Sequence, residues 1–290
     1  MYARAVTTGG VTHGTRRRFG AMSKATPSST GSVKRTVGIG LVALCLLLAT
    51  GTRDTLRARP IRIGYFAVAP HAMPGPQSIP QGIAAEYFKR VAREMQLEEM
   101  EFILLPLGRL LQDLANNRID MALLLAKNPE RAAKFVYPQY PFCVTKPSIA
   151  VSAANPLPKI TSVNDLLHLS FYERPANYRT TIMQDPRLRI EPLTGSDFTR
   201  RCYAMIVAGR VDACYQPDHY PFQFEATRKE FLSQVNILYL PDPPIGLYSV
   251  FSKVGARRYL ESYEKALAVV QQRCSYGEVF EQFITAYKEE

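Results

Sequence analysis

Apolar and polar positions follow two rhythms along this chain. Ile83, Tyr87, Val91 and Met95 fall at helical spacing and predict an amphipathic helix over 82–95. Leu110, Leu111, Leu114 and Ala115 repeat that signal, and Asn116-Asn117 is a stop. Further helices are expected over 198–208, 256–272 and 276–287. Between them stand short apolar runs of strand length, at 61–66, 101–105, 119–126, 149–151, 169–172, 189–193, 209–215, 235–240 and 247–252. Such alternation predicts an α/β protein. The run 119–126 is almost wholly apolar, as suits a strand buried on both faces of a parallel sheet.

Chemistry enters just past that run. Pro129 suits a first helical turn with Asn128 as its cap, and Arg131 falls inside the turn. Ligands of open α/β sheets bind outside the carboxyl ends of strands. A guanidinium there is a fork for a carboxylate or phosphate, whereas a plain surface arginine is the alternative.

The first 59 residues do not read as a domain. Gly, Ser, Thr and Arg dominate up to Arg35, and an apolar run of 14 residues follows from Val37 to Thr50. That is short for a membrane span, which takes about 20 residues, and fits the core of an export signal. Cleavage is expected near Gly51, with a retained N-terminal anchor as the alternative. The leader also explains the charge. The chain is formally +11, but residues 1–59 hold ten basic residues against one acidic, leaving 26 against 24 beyond. So weak a balance gives no reason to expect nucleic acid as a partner.

The order of signals from Leu114 to Tyr140 resembles the central signature of the family 3 extracellular solute-binding proteins, the receptors of polar amino-acid ABC importers. The matching residues are Leu114, Asn117-Arg118-Ile119-Asp120, Asn128-Pro129-Glu130-Arg131, Phe135 and Pro138-Gln139-Tyr140. Gly209-Arg210-Val211-Asp212-Ala213 is similar to the second such strand entry, and Ile160 to Leu167 resembles the capped helix that opens the family's second lobe, with Ser162 as its cap. The resemblance runs from about Ile61 to the C-terminus. It implies a type II periplasmic-binding-protein fold, two lobes each with a helix-flanked sheet, joined by a hinge of two crossings. The expected division is a leader over 1–59, lobe one over 60–147 and 242–290, and lobe two over 148–241.

The resemblance also implies a site between the lobes. Arg131, with Asn128 beside it, is the expected clamp for an anionic group. Tyr65, Phe66 and His71 follow the first strand, where the family walls its ligand. Arg174, Asn177 and Tyr178 stand where the family has a Gly-Thr-Thr pattern for the ligand carboxylate, so this chain departs from it. Asp218, one residue past the aligned position, is the candidate for the family's ammonium-binding aspartate. Arg109 is a further cleft candidate, with a helix-surface role as the alternative. The implied function is capture of a small polar, anionic solute by a periplasmic monomer that delivers it to the membrane permease of an ABC importer. A dehydratase on the same fold, with Glu173 as acid, and a periplasmic sensor or accessory protein are the alternatives.

Cys143, Cys202, Cys214 and Cys274 follow the leader. An exported protein meets oxidising conditions, and four cysteines allow three pairings. Cys202 and Cys214 share the expected second lobe, but nothing in their spacing selects a pair. No spacing of metal ligands, phosphate-cradling loop or nucleophile turn is present, so no metal or cofactor is expected.

Overall fold

The computed structural model describes residues 59–289, apart from 77, 78 and 196. The expected export signal and its expected cleavage near Gly51 lie outside these residues. Ten strands form two five-stranded sheets of the same plan. In the first, β1 (Ile61–Tyr65) pairs in parallel with β2 (Met100–Leu104) and β3 (Met121–Ala126). β10 (Ile245–Phe251) runs antiparallel to β3 and to β4 (Cys143–Thr145). In the second, β6 (Ser170–Glu173) is parallel to β7 (Arg189–Pro192) and β8 (Ala213–Gln216). There β5 (Ser148–Ser152) runs antiparallel to β8 and to β9 (Val235–Tyr239). The chain crosses between sheets from Thr145 to Ser148 and again from Tyr239 to Ile245.

Every residue of β3 is buried, because helices cover both faces of the first sheet. On one face Met121 and Leu123 pack with α1 (Ile83–Glu94), α6 (Lys253–Arg273) and α7 (Tyr276–Glu289) through Tyr87, Val91, Leu267 and Phe280. On the other, Ala122 and Leu125 meet Leu110 and Leu114 of α2 (Leu107–Ala115). In the second sheet, Ala150 and Cys214 face α4 (Phe198–Val207) through Phe198, Cys202 and Ile206. Cys202 and Cys214 form a disulfide with Cα atoms 6.1 Å apart, inside the usual reach. Cys143 and Cys274 are unpaired.

The aspartates of the two repeated motifs do equivalent structural work. Asp120 is fully buried and accepts from the Arg62 backbone N–H at 2.9 Å and from Arg59 Nη2 at 2.7 Å. Asp212 accepts from Ser170 N–H at 2.8 Å and Ser170 Oγ at 2.6 Å. Each carboxylate thus ties the entry of one strand to the start of its parallel neighbour, β3 to β1 and β8 to β6. Burial works to raise the pKa of Asp120, but the hydrogen bonds from Arg62 and Arg59 outweigh it and hold it below the ordinary value.

Several elements differ from expectation, among them β4, which no expected strand covers. The helix expected over 160–167 is one 3₁₀ turn, Val163–Leu166, capped by Ser162 and closed reciprocally by Asp165. The chain must be extended by Ser170 to pair with Arg189, which leaves no length for a full helix. A short helix, α5 (Tyr220–Glu225), follows β8 without a helical period to announce it.

Candidate functional site

A cavity of about 40 Å³ lies between the carboxyl ends of β3 and β8. It has room for about three water molecules, since one needs about 10–15 Å³ by this measure. Phe66, His71, Leu124 and Arg131 wall it from the first sheet's side, and Arg174, Asn177, Tyr178 and Asp218 from the second's. Leu124 sits within β3 at φ 62°, where the pairing of β10 also shifts between Tyr248 and Val250. A branched residue held there carries backbone strain, which only a well-packed surrounding can maintain.

Arg131 is placed by its local sequence. Asn128 Oδ1 accepts the Arg131 N–H at 2.7 Å and caps α3 (Pro129–Lys134), with Pro129 in the first turn. Asn128 therefore orients the arginine and is not itself on the wall. The Arg131 side chain is only 7% exposed. Its Nη1 donates to Ala126 O at 3.0 Å, at the end of β3, and its Nη2 to Ala176 O at 2.9 Å, beyond β6. One guanidinium thus joins the end of β3 to the loop beyond β6. Among the described residues no carboxylate pairs with it; neighbouring Glu130 is bonded to Lys134 at 2.7 Å. Burial lowers the Arg131 pKa, yet a guanidinium stays charged at neutral pH.

Arg174 is the second cation of the cavity. Its guanidinium lies 5.6 Å from the Phe66 ring centre and 5.3 Å from that of Phe198, and burial brings its pKa down to about 10. Aromatic faces stabilise a cation without neutralising it. A second cavity, of about 260 Å³, also reaches Arg174 and extends to Thr199, Glu225 and Arg228. Asn177 has a buried Nδ2 without a hydrogen-bond partner among the described residues. The Tyr178 backbone carbonyl accepts from Tyr215 Oη at 3.0 Å, which fixes this loop to β8.

The acidic wall is in a different state. Asp218 is 6% exposed and His71 is fully buried. His71 Nε2 lies 2.6 Å from Asp218 Oδ2, and Nδ1 meets Tyr276 Oη. Thr145 Oγ1 donates to Asp218 Oδ1 at 2.7 Å, and the Tyr220 N–H to the same oxygen at 3.1 Å. Burial works to raise the Asp218 pKa, but His71 and Thr145 outweigh it and hold it below the ordinary value. Burial lowers the pKa of His219, whose Nδ1 lies 2.8 Å from Thr145 Oγ1.

Residues 61–286 match the bacterial extracellular solute-binding proteins, family 3. The chain belongs to this family. None of the curated proteins compared matches it. Among solved structures, the ligand-binding core of GluR0 from Nostoc punctiforme, in complex with L-glutamate, is similar with a TM-score of 0.64 and 15% identity, over 77% of this chain and 98% of that one. The VFT2 domain of BvgS from Bordetella pertussis has a TM-score of 0.63 at 14% identity, over 82% and 96%. ArtJ, the arginine-, lysine-, histidine-binding protein of Geobacillus stearothermophilus, has a TM-score of 0.62 at 16% identity, over 77% and 94%. At these identities the likeness is one of fold, the two-lobed type II periplasmic-binding-protein fold.

Within the frame of this family 3 protein, seven of the nine expected site residues line one cavity: Phe66, His71, Arg131, Arg174, Asn177, Tyr178 and Asp218. Asn128 caps behind them. Tyr65 does not reach the wall; it is 1% exposed and packs edge-on to Phe102 at 6.5 Å. Successive strand residues face opposite ways, so Tyr65 enters the core while Phe66 takes the wall. Arg109 is exposed and bonded to Asp113 at 3.0 Å, away from the cavity. Glu173 is absent from the wall, and its Oε1 accepts Arg179 Nε at 2.8 Å. Sequence reasoning missed Tyr276 and Thr145, which complete the acidic network. They stand 205 and 73 residues from their partners, beyond the reach of any spacing argument.

Proposed function

We propose that this protein captures a small anionic solute between its two lobes and presents it to an ABC importer outside the cytoplasmic membrane. The observation that carries this reading is Arg131. A guanidinium held by carbonyls from the end of β3 and from the loop beyond β6 has two of its five donors in hydrogen bonds within the protein, and among the described residues no carboxylate pairs with it. Arg174 and Asn177 add charge and a spare donor on the same wall, and Phe66, Leu124 and Leu247 add apolar surface. A mostly apolar cavity with a few convergent polar groups suits a small ligand. The lobes divide as 60–147 with 242–290, and 148–241, and bend at the two crossings to admit and release the solute as a monomer.

Catalysis on this cavity would need an acid free to donate. Glu173 is engaged by Arg179 away from the wall, and Asp218 is held ionised by its donors. Both support the receptor reading. The test is a thermal-shift panel of small carboxylates and phosphates on the native protein and Arg131→Ala. A binder raises the melting temperature of the native protein by mass action and leaves the variant unmoved. An equal rise in both proteins would refute Arg131 as the clamp.

A further inference from the structure

Captured in this way, an anion meets, in the cavity around Arg131, one acidic wall residue that is already engaged. Both Asp218 oxygens are taken, Oδ2 by His71 and Oδ1 by Thr145 and the Tyr220 N–H. His71 is itself satisfied at both ring nitrogens. With the proton on Nε2, it donates to Asp218 and accepts from Tyr276 Oη. The ring is fully buried, edge-on to Tyr220 at 5.6 Å and tilted against Tyr276 at 5.7 Å.

A ligand ammonium carries three donors and no acceptor, and needs acceptors to leave water. This wall offers few. Ala126 O already receives Arg131 Nη1 and Tyr137 Oη, and Ala176 O receives Arg131 Nη2. Gln216, its Nε2 bonded to Thr199 Oγ1 at 2.9 Å, contributes only a neutral amide oxygen as acceptor. Meanwhile Arg131 and Arg174 repel a third cation. To bind Asp218, an ammonium would have to share its oxygens with three donors already in place, or expel a buried imidazole from a satisfied network, where unpaired groups cost most.

We propose that the cleft selects carboxylates that lack the α-ammonium group, small mono- or dicarboxylic acids, with His71 standing permanently where an amino group would dock. This rests on the anion-capture reading and narrows it. In matched titrations, calorimetry would compare propionate with L-alanine, succinate with L-aspartate, glutarate with L-glutamate and 3-phenylpropionate with L-phenylalanine, each on the native protein and Arg131→Ala.

The expected result is that the tightest ligand lacks the amino group. It binds about tenfold or more tightly than its amino acid, and binding is lost in Arg131→Ala. An amino acid that binds as tightly as its partner, still through Arg131, overturns this selectivity while anion capture stands. Failure of every acid to bind, or binding indifferent to Arg131→Ala, overturns both. In His71→Ala, whose folding is checked by its melt, Asp218 is freed and the preference falls about tenfold. A preference unchanged in that folded variant also overturns the role given to His71. If the variant does not fold, the native titrations still decide.

Discussion

The carboxyl ends of β3 and β8 occupy equivalent places in two sheets of the same plan, yet they present charge in opposite states. Past β3 comes Arg131, a cation oriented by two carbonyls and, among the described residues, left without a carboxylate. Past β8 comes Asp218, an anion whose oxygens are both engaged from within the protein. Equal topology therefore does not give equal availability. What a strand end can bind depends on whether the chain has already supplied the partner. Here the cationic end is open and the acidic end is closed.

Arg131→Ala attacks the open end and has the largest expected effect. Truncating one partner of a buried, charged hydrogen bond costs about 2–5 kcal/mol, so carboxylate affinity falls about 30-fold or more by calorimetry. A fall of only a few-fold would mean that Arg174 is the main clamp.

The second sheet also differs in being stapled. The Cys202–Cys214 bridge closes a segment of sequence separation 12. Its loss, in the Cys202→Ser, Cys214→Ser double variant, is expected to cost about 3 kcal/mol in denaturant unfolding, with a loop of this length. Unchanged stability would show that the packing of α4 on β8 suffices alone.

Gly82→Ala tests the loop that carries His71 to the closed end. Gly82 sits at φ 117°, and an added Cβ would stand 2.3 Å from Pro70 O and 2.7 Å from His71 O, both backbone. Those two carbonyls accept the N–H groups of Ile83 and Ala84, which bind the loop to the start of α1. Strain of about 1–3 kcal/mol is expected, read as a lower melting temperature. The variant is also expected to loosen the His71–Asp218 contact.

The smallest effect is in pH. The Asp218 pKa is lowered on folding. Its contribution to stability is therefore complete above its unfolded value, about 3.9, and is lost as pH falls through the lower folded value. Asp218→Asn should flatten the acid limb of the stability curve in that window. An acid limb identical to that of the native protein would place the titrating group elsewhere.

Much of this fold is legible in the chain because its signals are local. The all-apolar run of β3, the Asn128 cap with Pro129, and the amphipathic period of α1 each lie within one element. The motif order then joins the elements into one family. The site is half legible for the same reason. Arg131 follows from a cap and a turn three residues long. The state of Asp218 does not, because it depends on His71, Tyr276 and Thr145, which meet only in the folded molecule. The Tyr65 and Phe66 exchange shows the finest limit. Both stand at the end of one strand, and only the pleat decides which faces the cavity. The disulfide was one of three open pairings until the packing of α4 on β8 brought its cysteines within reach.

The most direct test is a crystal structure of the protein with the tightest carboxylate from the thermal panel. The account predicts the ligand carboxylate about 2.7–2.9 Å from the Arg131 guanidinium, between the two sheets, with His71 still seated on Asp218. A carboxylate bound in the cleft away from Arg131, or outside the cleft altogether, would contradict it.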